Sequence, residues 1–159
     1  MAIIVEDGTI VAGANSYVSE AELTAYASAR GVTLTGNTEA LLLNAMDYIE
    51  SLSYIGTKVS STQPLQWPRY NVVIDGYYFP NNEIPEILKS GLMQTAMAID
   101  SGTDPLSPIE RPLSSATVGP VSVSWEKGQT STLLRKVISQ LRKLLTGMPG
   151  SSFPVYRGG

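Results

Sequence analysis

Residues 63–69 read Gln-Pro-Leu-Gln-Trp-Pro-Arg, and this stretch limits what the middle of the chain can become. Each proline fixes φ and removes a backbone donor, so the segment is neither an α-helix nor a central strand. A tryptophan between two prolines presents a large amphipathic side chain on a stiff backbone, which suits a contact surface better than a catalytic pocket. Two interpretations stay open: Trp67 covers a small core of its own subunit, or Trp67, Arg69 and Tyr70 form an inter-subunit contact loop.

The segments on either side of this stretch predict four helices. A capping box at 19–22 (Ser-Glu-Ala-Glu) begins the first helix, and Arg30-Gly31 ends it. Apolar residues at helical spacing predict three further helices, over about 38–52, 85–100 and 131–145. Gly91 inside the third helix indicates that another backbone approaches closely there.

Two other segments carry the signals of strands. Residues 3–11 predict an N-terminal β-hairpin that turns at Glu6-Asp7-Gly8, and the alternation over 121–125 predicts a short half-buried strand. Residues 101–120 are rich in Pro, Ser and Gly and predict a linker or an irregular wrap.

The expected fold is therefore mainly α. It is a small bundle of about four helices with an N-terminal β-hairpin, an extra short strand before the last helix, and an extended C-terminal arm. Residues 1–146 would form a single domain and 147–159 the arm.

The composition includes few of the side chains that commonly carry out catalysis. The 159 residues include no cysteine and no histidine, which removes the thiol nucleophile, the commonest general base and the commonest metal ligand. The aspartates of 100–104 lack the ligand series of a calcium loop, and neither glycine-rich phosphate motif occurs. We expect no enzyme activity, no metal and no cofactor.

The sequence also gives no sign of a membrane protein. No apolar run approaches the ~20 residues that span a bilayer, and the N-terminus lacks the basic region of a secretory signal. We expect a soluble, unsecreted protein without a membrane partner.

Charge is unevenly distributed along the chain. Residues 1–110 carry a net charge of −9, whereas residues 111–159 carry +6. Either this is a chance distribution over a folded surface, or the two parts form electrostatic faces that favour head-to-tail packing or an acidic partner.

Single-stranded nucleic acid is a second class of partner to weigh. Half of the chain's twelve aromatic residues fall within 54–79, and stacking platforms of this kind bind single strands when a basic groove lies beside them. That window, however, holds only Lys58 and Arg69 against Asp75, which predicts a poor groove for phosphates. The basic last helix has no aromatic residue among its cations.

Several motifs together resemble one family. These are residues 4–8 (Ile-Val-Glu-Asp-Gly), 14–19 (Ala-Asn-Ser-Tyr-Val-Ser), 45–49 (Ala-Met-Asp-Tyr-Ile), 63–69 and the closing Tyr156-Arg157-Gly158. Over nearly its whole length the chain is similar to head–tail connector (adaptor) proteins of long-tailed bacteriophages, and 63–69 is the most specific part. Related sequences often carry the label of DnaT-like single-stranded-DNA-binding proteins.

The resemblance implies a structural virion protein of the phage neck, present in the host cytoplasm during assembly. Its subunits would form a homo-oligomeric ring, typically of twelve copies, that joins the portal protein to a stopper or tail-terminator protein. Double-stranded DNA would pass through the ring without sequence-specific binding. A single-stranded-DNA-binding replication protein is the alternative.

The resemblance also suggests where contacts lie. We expect the basic side of the last helix and the aromatic C-terminal arm to reach the portal or the neighbouring subunit. The residues concerned are Arg135, Lys136, Arg142, Lys143, Phe153, Tyr156 and Arg157.

Overall fold

The computed structural model describes residues 2–105 and 132–146. Four α-helices dominate this part of the chain: α1 (Glu20–Ala29), α2 (Thr38–Glu50), α3 (Glu86–Asp100) and α4 (Thr132–Leu141), the last continuing into a 3-10 turn (Arg142–Leu144). The mainly helical class is confirmed. The predicted linker and strand within 106–131 and the arm at 147–159 lie outside the described residues.

Two small antiparallel sheets lie between α2 and α3. Strand β1 (Thr57–Lys58) pairs with β2 (Arg69–Tyr70), and β3 (Val73–Ile74) pairs with β4 (Tyr77–Tyr78). The first sheet includes the end of the segment over 63–69, at Arg69. The second sheet is a hairpin whose strand β4 is exposed.

The helices begin where their caps dictate. In α1, Ser19 Oγ accepts a hydrogen bond from the Glu22 amide at 3.1 Å, and the Glu22 carboxylate accepts from the Ser19 amide at 2.6 Å, so the predicted capping box is confirmed. Pro85 lies one residue before α3, where its missing N–H costs no helical hydrogen bond.

One hydrophobic core lies among the helices, with α2 packed on α3 and α3 packed on α4. The apolar stripe predicted for the last helix is buried at Leu134, Val137, Leu141, Leu144 and Leu145. At Gly91, α3 packs tightly against α4, because a Cβ there would lie 2.9 Å from Leu141 Cδ2. The close neighbour is thus a side chain and not the backbone that the sequence led us to expect.

The prediction of an N-terminal β-hairpin over residues 3–11 is wrong. The Glu6 side chain is fully buried, and its carboxylate accepts hydrogen bonds from the amides of Gly8, Ile10 and Val11, each at 2.9 Å. These amides are therefore bound to one side chain, whereas a hairpin would pair them with a second strand. Only an isolated bridge between Val5 and Ser16 remains of strand pairing in residues 2–19.

Candidate contact surface on the tyrosine hairpin

The stretch over 63–69 folds into the subunit. Trp67 is 0% exposed, and its ring meets the rings of Tyr54 and Phe79 edge-on, at centroid distances of 5.8 and 6.3 Å. Its indole Nε1 finds no hydrogen-bond partner among the described residues. The core interpretation of Trp67 is the one that the geometry favours.

Arg69 is buried beside it and holds backbone carbonyls. Its Nε donates to the carbonyl of Ile55 at 2.8 Å, and one terminal nitrogen donates to the carbonyl of Gly56 at 2.8 Å. Burial lowers the pKa of the guanidinium. The side chains of Trp67 and Arg69 are therefore both buried within the subunit, and an inter-subunit contact at this stretch stays a prediction. Tyr70 is exposed, and a contact there stays a prediction.

A buried polar network fixes the same stretch to the rest of the fold. The Tyr17 hydroxyl donates to the Glu50 carboxylate and accepts a hydrogen bond from the Trp67 amide at 3.2 Å. The second Glu50 oxygen accepts from the Gln66 amide at 2.8 Å. Burial raises the pKa of both Tyr17 and Glu50. The sequence did not reveal this network, because its members are far apart in the chain.

The next feature is the β3–β4 hairpin. Asp75 and Gly76 at its turn both have positive φ, 52° and 86°, which is the two-residue turn that suits the twist of paired strands. The Asp-Gly pair between Val73-Ile74 and Tyr77-Tyr78 is a local sequence signal from which this hairpin could have been predicted.

The hairpin places aromatic side chains in solvent. Tyr77 is 80% and Tyr78 84% exposed, while Tyr70 and Val73 are each 44% exposed. We call these four residues the tyrosine surface. They account for four of the six large hydrophobic side chains exposed in the described part of the chain, and all four lie within residues 70–78.

The base of the hairpin is anchored in the core. Val72 is fully buried, and its carbonyl accepts a hydrogen bond from the Phe79 amide at 2.8 Å. The Phe79 ring in turn meets Trp67. Trp67 thus acts from inside the subunit, because it supports the hairpin that carries the tyrosine surface.

The end of the last helix meets the tip of this hairpin. Arg135, Lys136, Arg142 and Lys143 are all exposed, as their pattern predicted. Lys143 Nζ lies 2.8 Å from Asp75 Oδ1, across 68 residues of sequence. This pair brings the basic segment that follows α4 to the tip of the aromatic hairpin, a proximity that the sequence does not reveal.

The cations beside the tyrosine surface are largely engaged. Lys143 is paired with Asp75, and Arg69 is buried against carbonyl groups. Lys58 is exposed on β1, next to Thr57, the residue that pairs with Tyr70. Of these three cations in the described part of the chain, two are thus engaged within the fold, and Lys58 is exposed.

The remaining predicted contacts, Phe153, Tyr156 and Arg157, lie outside the described residues. Within residues 2–105 and 132–146, no group of three acidic, histidine or cysteine side chains is placed to hold a metal ion. Asp100, from the segment compared with a calcium loop, instead accepts hydrogen bonds from the amides of Thr35 and Gly36, which lower its pKa. None of the helices in these ranges is long and apolar enough to cross a membrane.

The described fold defines a mainly helical protein whose most exposed apolar feature is one aromatic hairpin. Residues 1–158 match the family described as "Putative DnaT-like ssDNA binding protein", and the chain belongs to this family. No curated protein and no solved structure matches the chain.

Proposed function

We propose that the chain is a non-catalytic assembly protein, a subunit of a phage head–tail connector ring between the portal and the tail or stopper protein. The observation that carries this proposal is the tyrosine surface. Tyr77 and Tyr78 are both more than three-quarters exposed, and Tyr78 lies opposite Val73 on β3, so the hairpin presents apolar side chains of the kind that another protein covers. Tyrosine is also among the residues that contribute most to the energy of protein interfaces.

The charge around the patch favours protein over nucleic acid as the partner. Affinity for a DNA backbone depends mainly on neutralising phosphates. Lys143 already neutralises Asp75, and Arg69 is directed into the fold.

Cryo-electron microscopy of intact particles made by the genome that encodes this chain tests the proposal. We expect density for a ring of the chain between portal and tail. Particles whose portal vertex is fully accounted for by other proteins would overturn it.

Single-stranded DNA binding is a second candidate, because the family description names it and because the hairpin meets the basic helix at Lys143. Tyr70, Tyr77 and Tyr78 would stack on bases, with Lys58 and the exposed cations of the last helix facing phosphates.

A binding titration with fluorescent oligonucleotides at several salt concentrations separates the two candidates. A DNA-binding role requires tight binding that falls steeply as salt rises and that weakens in a Tyr77→Ser/Tyr78→Ser variant. A connector subunit requires neither salt-dependent tight binding to these oligonucleotides nor a loss of binding in the tyrosine variant. Val32→Ser, which removes an exposed apolar side chain at the end of α1, is the matched control.

A further inference from the structure

We propose that Lys143 is a positioning residue, which attaches the tip of the β3–β4 hairpin to the end of the last helix and so holds one face of the hairpin towards solvent. The inference rests on the proposed function in one respect, because that face is where a partner protein would bind. It gives Lys143 a role within its own copy, whereas the sequence led us to expect a contact with the portal or the neighbouring subunit.

The two faces of the hairpin have different surroundings. Ile74 is half-buried and packs against the core. Neighbouring residues of a strand point to opposite faces, so Val73 points away from the core. Tyr78 is the register partner of Val73 and therefore shares its face. Both side chains are exposed, and together they form the outward face of the hairpin.

The base of the hairpin alone is a weak support for this orientation. At the base, the Phe79 amide donates to the Val72 carbonyl at 2.8 Å. Two further residue pairs separate this hydrogen bond from the turn, and a two-stranded ribbon of this kind is only marginally stable in water. A second attachment near the turn therefore limits how far the hairpin can bend or fray.

The pair of Lys143 with Asp75 is such an attachment. The Lys143 Nζ lies 2.8 Å from Asp75 Oδ1 and 2.9 Å from Oδ2, so the ammonium group contacts both carboxylate oxygens. Among the described residues, this is the one polar side-chain contact that joins residues 73–78 to another element. Lys143 itself lies in the 3-10 turn beside Leu144, which is fully buried, so the lysine extends from a fixed part of the fold.

This ion pair should act on the position of the hairpin more than on the stability of the fold. The two side chains are 54% and 62% exposed, and exposed ion pairs contribute little to folding. A contribution of that size still changes the population of a detached hairpin by about two- to fivefold. A hairpin that is already ordered loses less entropy when a partner binds.

Hydrogen–deuterium exchange of residues 70–79 in the full chain, followed by mass spectrometry, tests the attachment. Lys143→Gln and Asp75→Asn should each speed exchange about two- to fivefold. The double variant should exchange no faster than either single variant, because both changes remove the same contact. Asparagine suits the positive φ of residue 75, so the turn itself is kept.

Salt and a neighbouring cation provide the controls. Added salt should speed exchange in the natural chain and not in the two single variants, because screening weakens an exposed ion pair. Arg142→Gln removes an exposed cation of the same 3-10 turn and should leave exchange unchanged. Equal exchange in the natural chain, Lys143→Gln and Asp75→Asn would overturn the proposal.

Mass photometry then tests whether the attachment matters for binding. Lys143→Gln and Asp75→Asn should weaken association of the chain by the same factor, about two- to fivefold in the concentration of half-association. A loss in Lys143→Gln alone would mean that the lysine touches the partner directly, and no loss in either variant would remove the link to binding. Both results would overturn the positioning role. A chain that forms no oligomers but shows the expected exchange would count against the proposed ring and leave the attachment standing.

Discussion

Glu50 is a partly buried carboxylate that accepts hydrogen bonds from the Tyr17 hydroxyl and the Gln66 amide. Burial is the largest influence on its pKa and raises it above the ordinary value of 4.5. The folded state therefore binds the Glu50 proton more tightly than the unfolded state does. The stabilising effect is complete below the ordinary pKa and is lost as the pH rises through the raised one.

Replacing Glu50 with Gln should remove this contribution. The test is a set of urea titrations at pH values just above the ordinary pKa of glutamate. There, the free energy of unfolding should change less with pH for Glu50→Gln than for the natural chain. Asp47→Asn, an exposed carboxylate on the same helix, is the control. Parallel pH profiles for the natural chain and Glu50→Gln would contradict this account.

The hydroxyl group of Tyr17 gives a second prediction. Tyr17→Phe deletes a hydroxyl that serves both Glu50 and the Trp67 amide, and it leaves two buried polar groups without that partner. We expect a loss of about 1–3 kcal/mol in the free energy of unfolding, measured by chemical denaturation. Tyr77→Phe, at an exposed ring, should change it by less than about 0.5 kcal/mol. Equal losses for the two variants would show that the network contributes nothing.

Among the secondary-structure elements, the contact between α3 and α4 depends on Gly91. A side chain at this position would enter the space that Leu141 occupies, so Gly91→Leu should destabilise the chain by about 1–3 kcal/mol. In a double-mutant cycle with Leu141→Ala, the two substitutions should be non-additive, because the smaller residue makes room for the larger one. Additive losses would mean that the close approach has no energetic role.

The elements were predictable where the signal is local. Helical periodicity and the capping box at Ser19 located the helices, since each depends on residues within a few turns. The N-terminal hairpin was predicted wrongly because residues 3–5 and 9–11 look strand-like, while the deciding contact is the buried carboxylate of Glu6. The candidate site was only half predictable. The exposed cations and aromatic residues were visible in the sequence, but the Lys143–Asp75 pair that joins them is a product of tertiary folding.

At the scale of the whole molecule, the tyrosine surface should control association. The proposed ring predicts oligomers in mass photometry of the natural chain and a shift towards monomers for Tyr77→Ser/Tyr78→Ser. The two side chains lie in solvent, so the substitution should leave the thermal midpoint of the monomer nearly unchanged. Val32→Ser should associate like the natural chain. Oligomers that persist unchanged in the tyrosine variant would place the subunit contact elsewhere.

The position of Trp67 makes it an optical reporter of that surface. Its indole lies in a dry, aromatic setting beneath the hairpin, and its nitrogen has no partner among the described residues, so its emission should lie at short wavelength. The only other indole in the chain is Trp125. In a Trp125→Phe chain, fluorescence lifetime and quencher access would report from directly beneath the tyrosine surface. The docking of a partner could then be followed in real time without any attached dye.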